Sequence, residues 1–301
     1  MKTRTLARCL ACGHEGDLWP LAMTYRWEGV EFPAAECPAC GMRFLRVQPE
    51  GDSLAALYSA DYFQTDFRCG RSAAHSFDEA SFRAENEGLL ARFEPYRGAG
   101  RLLEVGCASG WLLKHAAERG WRATGVELSA DAVAHARGLG LDVRQGTLAD
   151  AALPASSFDL VYMGDVLEHV PDCREVVREV ARVLAPGGHF FLRGPATTHS
   201  LARSLALAAC GAIGRPIVLR EPPYHLWEFT PRPLAALLAR EGLEVVALEQ
   251  AKIPPGRAHG RKSLVQRAAM AALDAVNVPL TRAFNVLGDR LVLIARRPRG
   301  A

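Results

Sequence analysis

The 301-residue chain predicts an α/β protein: a seven-stranded, mostly parallel sheet with helices on both faces, preceded by a small cysteine-stapled ribbon. Three observations carry that expectation. From residue 98 onward short apolar runs alternate with helical stretches, the pattern of parallel strands joined by crossover helices. The segment Arg101-Leu-Leu-Glu-Val-Gly-Cys-Ala-Ser-Gly110 reads as a buried strand, a tight glycine turn and the start of a helix. Near the start, Cys9-x-x-Cys12 and Cys37-x-x-Cys40 form two matched thiol pairs.

The thiol pairs come first in the chain. Two-residue spacing lets both thiolates of a pair reach one ion, and the glycine after each pair (Gly13, Gly41) relaxes the turn. Four thiolates complete a tetrahedral shell, the arrangement that structural Zn2+ takes. A redox dithiol is the alternative for a C-x-x-C motif, but two matched pairs argue against it. Cys9, Cys12, Cys37 and Cys40 are therefore expected to hold Zn2+ in a closed site that stabilises folding and does no chemistry. Residues 1–48 form this zinc ribbon, with Trp19, Tyr25, Trp27 and Phe32 as its small core. So short a module depends on the metal, because it cannot bury enough apolar surface alone. Cys69, Cys107, Cys173 and Cys210 have no such spacing. Residues 49–97 read as a helical linker rich in aromatics, which would pack it onto the domain that follows.

The main domain spans 98–301. Strands are expected at 101–105, 122–127, 141–144, 158–163 and 189–194, with helices at 110–119, 129–138 and 173–184. Ser129 is placed to cap its helix, with Asp131 in the first turn. Pro186-Gly187-Gly188 supplies the turn into the fifth strand. A helix from Pro231 to Glu241 precedes a strand near 243–249, and a last strand lies near 290–296. Insertions at 197–230 and 251–288 carry helical stretches, Leu201 to Ile213 and Leu264 to Val286. Their basic residues (Arg203, Arg215, Arg220, Arg257, Arg261, Lys262, Arg267, Arg282) have three readings: solvated edges of a substrate cap, a peripheral membrane contact, or a grip on an anionic substrate.

The glycine turn gives the chemistry. Glycine lets backbone approach a ligand closely, and Glu127, about 20 positions further on, is placed to accept hydrogen bonds from ribose hydroxyls. A nucleoside-containing cofactor is expected. A dinucleotide fingerprint would read G-x-G-x-x-G. Here Glu104 stands before the first glycine, where it would repel a diphosphate but can anchor a cationic amino-acid group. This combination resembles motif I of the class I S-adenosylmethionine-dependent methyltransferases. The resemblance continues through Gly125-Val-Glu127-Leu-Ser, Gly146-Thr-Leu-Ala-Asp150, Ser157-Phe-Asp-Leu-Val-Tyr-Met163, Asp165-Val-Leu-Glu-His169-Val-Pro171 and Leu184-Ala-Pro186-Gly-Gly188, covering residues 98–195 closely. It departs at Ala108, where many members have a second glycine.

Membership of that family implies a Rossmann-like fold, S-adenosyl-L-methionine as cofactor, and a last strand inserted antiparallel beside the fifth. Carried over position by position, Glu104 meets the methionyl end of the cofactor, with a helix-capping carboxylate as its alternative role. Gly106, Cys107, Ala108 and Gly110 line the cofactor, Cys107 through its backbone. Glu127 holds the ribose and Leu128 faces adenine; Thr147 and Leu148 edge the adenine; Met163 and Gly164 lie near the sulfonium. The resemblance also offers a lid role for the 49–97 segment, with Tyr62 as its contact. Methyl transfer is an in-line displacement, so the protein mainly positions the acceptor and removes its proton. His169 and His225 are the candidate bases, with Tyr224 and Asp165 as supporting polar groups. Glu221-Pro-Pro-Tyr224 looks like the D/N-P-P-Y signature of amine methyltransferases, but that signature follows the fourth strand and this one follows the fifth.

Composition trims the function classes. A net charge of +3 is too small for a nucleic-acid footprint, and residues 1–48 carry six basic against five acidic residues where a phosphate-tracking module needs more. No run approaches the ~18 apolar residues of a spanning helix, and the N-terminus lacks the apolar core of a secretory signal, so a cytoplasmic protein is expected. The expected activity is methyl transfer to an oxygen or carbon of a small-molecule, lipid- or sugar-linked acceptor. An RNA methyltransferase and a non-catalytic cofactor-binding protein are the alternatives.

Overall fold

The computed structural model describes residues 1–57, 79–252 and 264–300. Tyr62, Cys69, Arg257, Arg261 and Lys262 lie outside the described residues. The N-terminal part contains β1 (Thr3–Thr5), β2 (Trp19–Trp27), β3 (Val30–Glu36), β4 (Arg43–Leu45) and β5 (Val47–Pro49). Among the described residues two helices follow, α1 (Asp52–Leu57) and α2 (Ala80–Phe93). The alternating part is then β6 (Arg101–Val105), α3 (Trp111–Glu118), β7 (Arg122–Glu127), α4 (Ala130–Gly138), β8 (Asp142–Gln145), β9 (Phe158–Gly164), α5 (Cys173–Val183) and β10 (Leu184–Pro195). The chain ends with α6 (Leu201–Ala212), β11 (Ile217–Leu219), β12 (Trp227–Glu228), α7 (Pro231–Arg240), β13 (Glu244–Ala251), α8 (Leu264–Phe284) and β14 (Arg290–Arg296).

The main sheet has seven strands in the order β13-β14-β10-β9-β6-β7-β8. β14 runs antiparallel to both its neighbours, β10 and β13, and the β10-β9-β6-β7-β8 ladders are parallel. The side chains alternate faces as the two-residue strand period demands. Leu103, Val105, Val126, Val161 and Met163 share a core with Val177 and Val180 of α5 and Leu234 and Leu237 of α7. Leu102, Leu160, Tyr162 and Phe191 pack with Leu89, Leu90 and Phe93 of α2 and Leu112 of α3. Both faces are therefore covered, which a parallel sheet requires. The turns are local matters: the Ser129 side chain accepts the Ala132 amide at the head of α4, and Asp172 accepts the Arg174 and Glu175 amides at the head of α5.

Three sequence expectations need correction. Trp19 is 57% exposed, so the ribbon core rests on Tyr25 and Phe32 and on Phe44 from β4. Pro186-Gly187-Gly188 is not a turn before the fifth strand: Leu184 already pairs with Phe158, and the ladder shifts register between Leu184 and His189. The ribbon is also not a free-standing module. Its strands belong to a five-stranded sheet, β11-β2-β3-β4-β12, whose two outer strands come from the 197–230 insertion. Ribbon and main domain share one continuous core, from Phe32 and Phe44 through Trp227 to Leu234.

Candidate active site

The cradle begins where β6 stops. Gly106 (φ 73°) and Gly110 (φ 84°) lie in the left-handed region that favours glycine. A Cβ on Gly106 would come within 2.4 Å of Val166 Cγ2, and one on Gly110 within 2.9 Å of Ala136 Cβ. The turn is thus pressed against the loop after β9 on one side and against α4 on the other. Ala108 takes φ 47° without glycine's freedom, a cost of about 1–2 kcal/mol.

Glu127, at the end of β7, ties this turn down. Its Oε2 accepts the Ala108 amide at 2.9 Å and its Oε1 accepts the Ser129 amide at 2.9 Å. Burial pushes its carboxyl above the ordinary range, opposed by the amides of Ser129, Ala108 and Leu128. Glu104 is buried one strand over, opposite Gly125 on β7 and Tyr162 on β9. Cys107 is buried too, and burial together with Glu104 and Glu127 pushes its thiol up, so the thiol is no nucleophile. Leu128 is 56% exposed, an apolar side chain open at the rim. The Thr147 hydroxyl and amide both donate to Asp150 Oδ2 (2.6 and 2.9 Å), while Leu148 is buried in the main core. What this turn can offer a base edge is therefore backbone. Met163 is fully buried and Gly164 ends β9 beside Arg193.

The other half of the site lies beyond β9 and β10. Asp165 (φ 58°) accepts a hydrogen bond from Arg290 and stands 3.9 Å from Arg193, whose own Nη1 donates to Glu85 Oε1 at 2.9 Å. The sequence reading missed this Glu85–Arg193–Asp165–Arg290 chain; the signal was an arginine inside the apolar run His189-Phe-Phe-Leu-Arg193. Asp165 is thereby an ion-pair partner more than a supporting acid.

His169 and His225, proposed as alternatives, are neighbours: their rings stand 5.0 Å apart at 71°. His169 Nδ1 lies 3.0 Å from the Tyr224 carbonyl, which makes Nδ1 the protonated, donating nitrogen and leaves the lone pair on Nε2. Tyr224 thus acts here through its backbone. The side chain is only 14% exposed, and this partial burial, with His225 adding to it, pulls its pKa down to about 3 against the pull of the Tyr224 carbonyl. A histidine that neutral is a poor proton acceptor near pH 7. His225 is half-buried beside it. Beneath them Glu168 is 1% exposed, with Oε1 3.7 Å from His169 Nε2 and no hydrogen-bond partner for that oxygen among the described residues. Burial, with Asp165 behind it, pushes this carboxyl well up. One ligand atom from each of Glu168, His169 and His225 lies within 4.8 Å of the others, close enough to pass a proton or to share a divalent cation.

His169 also makes the fold pH-sensitive. Its folded value lies below its unfolded ~6.5, so the unfolded chain takes up the proton first, and stability falls as pH drops from about 6.5 toward 3. At ~1.4 kcal/mol per unit, the loss by pH 5 is about 2 kcal/mol. His169→Asn keeps an N–H for the Tyr224 carbonyl and cannot titrate. Urea melts near pH 7 and near pH 5 should show a drop smaller by about 2 kcal/mol in the variant; equal drops would remove His169 from the account.

At the far end of the chain, the four N-terminal thiols converge. Cys9 and Cys40 Sγ are 3.7 Å apart, Cys12 and Cys37 Sγ are 3.6 Å apart, and all four lie within 4.8 Å of one another. A tetrahedral shell with ~2.3 Å metal–sulfur bonds has edges of about 3.8 Å, so the thiols fit such an ion as they stand. The two knuckles repeat the same bonds: Gly13 N–H to Cys9 O and Cys9 N–H to His14 O, Gly41 N–H to Cys37 O and Cys37 N–H to Met42 O.

Residues 77–248 match a family model described as a methyltransferase domain. The chain is similar to the ubiquinone biosynthesis O-methyltransferase of Xanthomonas axonopodis pv. citri (strain 306), 35% identical over 185 residues, 59% of this chain and 75% of that protein. It is also similar to proteins of the same description from Xanthomonas euvesicatoria pv. vesicatoria (strain 85-10), 34% identical over 171 residues (54% and 70%), and from Caulobacter sp. (strain K31), 36% identical over 192 residues (57% and 72%).

Proposed function

The chain belongs to the S-adenosylmethionine-dependent methyltransferases, and from that premise we propose that it moves the methyl group to a hydroxyl oxygen of a small-molecule acceptor, with His225 as the general base. The observation that carries this is the histidine pair beside the glycine turn: Val166, against which Gly106 is pressed, stands three residues before His169. When bound, S-adenosylmethionine supplies an electrophilic methyl on a sulfonium. Glu127 would hold its ribose, Glu104 its methionyl end, and the left-handed turn from Gly106 to Gly110 would pass under it; the two buried carboxylates, Glu104 late in β6 and Glu127 at the end of β7, support that fit. His225 takes the acceptor's proton, and His169, fixed by the Tyr224 carbonyl, holds the neighbouring ring in place. The relatives support oxygen over carbon only through their printed name, O-methyltransferase, and so the oxygen is part of the proposal. A lipid or sugar carrier on the acceptor is a proposal of the same kind, as is Zn2+ for the ion of Cys9, Cys12, Cys37 and Cys40.

The test is calorimetric titration with S-adenosylmethionine and with NAD, followed by labelled methyl transfer to a panel of catechols, bare, prenylated and glycosylated. Binding of the methyl donor alone, with label on a hydroxyl, is the expected result. Binding with label only on carbon or nitrogen would overturn the oxygen assignment. The Glu168, His169 and His225 cluster favours a second reading, in which a divalent cation lowers the hydroxyl's pKa. Activity that a chelator abolishes and Mg2+ restores would favour it over a free base.

A further inference from the structure

We propose that the four-thiol ribbon is the positioning wall of the acceptor site: an ion on Cys9, Cys12, Cys37 and Cys40 fixes β4, and β4 fixes the 224–229 segment that carries His225. The inference rests on the reading of His225 given above. β4 begins three residues after Cys40, and its partner β12 begins two residues after His225, with Trp227 opposite Phe44 and Glu228 opposite Arg43. Leu226, next to His225, is strapped from both sides. Its carbonyl accepts the Leu45 amide at 3.0 Å, and its own amide donates to the Glu168 carbonyl at 2.8 Å. Trp227 Nε1 donates to the Val170 carbonyl at 2.7 Å, while its ring sits 5.4 Å from that of Phe44. The segment is therefore a thin layer between the ribbon and the loop that carries His169.

The seam is polar as well as apolar. Glu228 is buried and accepts the Thr197 hydroxyl at 2.6 Å, in the same seam as the buried Tyr25 of β2. Arg43 Nη1 donates to the Thr198 carbonyl at 3.0 Å while its Nε holds Glu36 at 2.7 Å. A buried carboxylate tolerates little displacement of its donors, so these bonds fix one register between ribbon and insertion. A two-residue strand has no stability of its own; β12 exists because β4 offers it an edge. β4 in turn depends on the knuckle, through the Cys37 amide on the Met42 carbonyl, and a ribbon this small depends on its ion. The rival use of the ribbon, as a docking module for a further strand, is disfavoured because both of its edges are already taken, β2 by β11 and β4 by β12. The ribbon's ion thus acts on His225 through another residue's backbone; these are positioning residues.

Hydrogen exchange on the full chain tests this, with Zn2+ bound and after chelation, S-adenosylmethionine present in both. On metal loss, exchange over 224–229 and 197–199 should rise about tenfold or more, while 101–110 and 122–127 stay within about twofold. Affinity for the methyl donor should stay within about threefold, turnover should fall at least about tenfold, and both changes should reverse when Zn2+ is restored. Unchanged protection of 224–229 after confirmed metal loss would overturn the proposal. Should chelation raise exchange throughout the chain, Phe44→Leu decides, because it loosens the seam and leaves the thiols intact. The expected result is faster exchange over 224–229 at full Zn2+ content and unchanged donor affinity; unchanged exchange overturns. If the segment loosens and turnover holds, the coupling stands and it is the base assignment to His225 that fails.

Discussion

His225→Ala is expected to lower kcat about 10²–10⁴-fold while leaving the affinity for S-adenosylmethionine within about twofold. The range is that of a lost general base. The separation of effects follows from place: the cofactor cradle is built on β6 and β7, whereas His225 sits on the segment before β12 and touches the loop after β9. His169 cannot take over, because a ring held near pKa 3 by burial has almost no proton affinity at neutral pH. His225→Gln would retain a polar group of similar reach without the proton affinity, so it should fail as alanine does. Equal loss in kcat and in donor affinity would instead mean that the substitution had disturbed the fold. Normal turnover in His225→Ala would remove the base from the mechanism and leave the neighbouring cluster to be explained by a cation.

What could be read in the sequence was what is encoded locally. The bounds of β6, β7 and β14 follow from apolar runs that end at glycines or charges, and they fall where the pattern puts them. Ser129 caps α4 by accepting the Ala132 amide three residues on, a purely local preference. The cysteine spacing was equally local, since each knuckle closes its own turn. The parts missed were those made by distant chain. β11 and β12, of three and two residues, have no period to detect and form only on edges supplied by the ribbon. Tyr224 and His169 are 55 positions apart, and nothing in either neighbourhood says that one carbonyl will fix the other's tautomer. Glu168 reads as one more charge in Asp165-Val-Leu-Glu-His169, yet it is among the most buried carboxyls of the molecule. Trp19 fails in the other direction: an aromatic in a β-strand pattern, it sits where the strand has passed beyond the core. The same gap explains why the ribbon looked like a separate module, because the strands that join it to the main domain lie about 180 residues later in the chain.

The largest binding effect is expected at Glu127. Glu127→Ala should weaken S-adenosylmethionine binding about a hundredfold or more by calorimetry, since two hydrogen bonds between ribose hydroxyls and a buried carboxylate are worth about 1.5–3 kcal/mol each. A second loss comes from the apoprotein. The Ala108 amide would lose its acceptor, and Ala108 already occupies a left-handed conformation that a glycine would take more easily. Glu127 therefore both binds the ligand and holds in place the turn that binds it. Glu127→Gln separates these roles less than its shape suggests. One carboxylate oxygen faces the Ala108 amide and the other the Ser129 amide, so either orientation of a glutamine sets an N–H against an N–H. The isosteric variant should consequently fall close to alanine in affinity. The same logic gives a pH dependence: protonation of Glu127 turns one of its oxygens into a donor, and since burial raises its folded value, donor affinity should decline on acidification before an exposed glutamate would titrate. Ala108→Gly tests the strain directly. By relaxing the turn it should recover part of the affinity lost in Glu127→Ala, whereas no recovery would confine the role of Glu127 to its contact with the ribose.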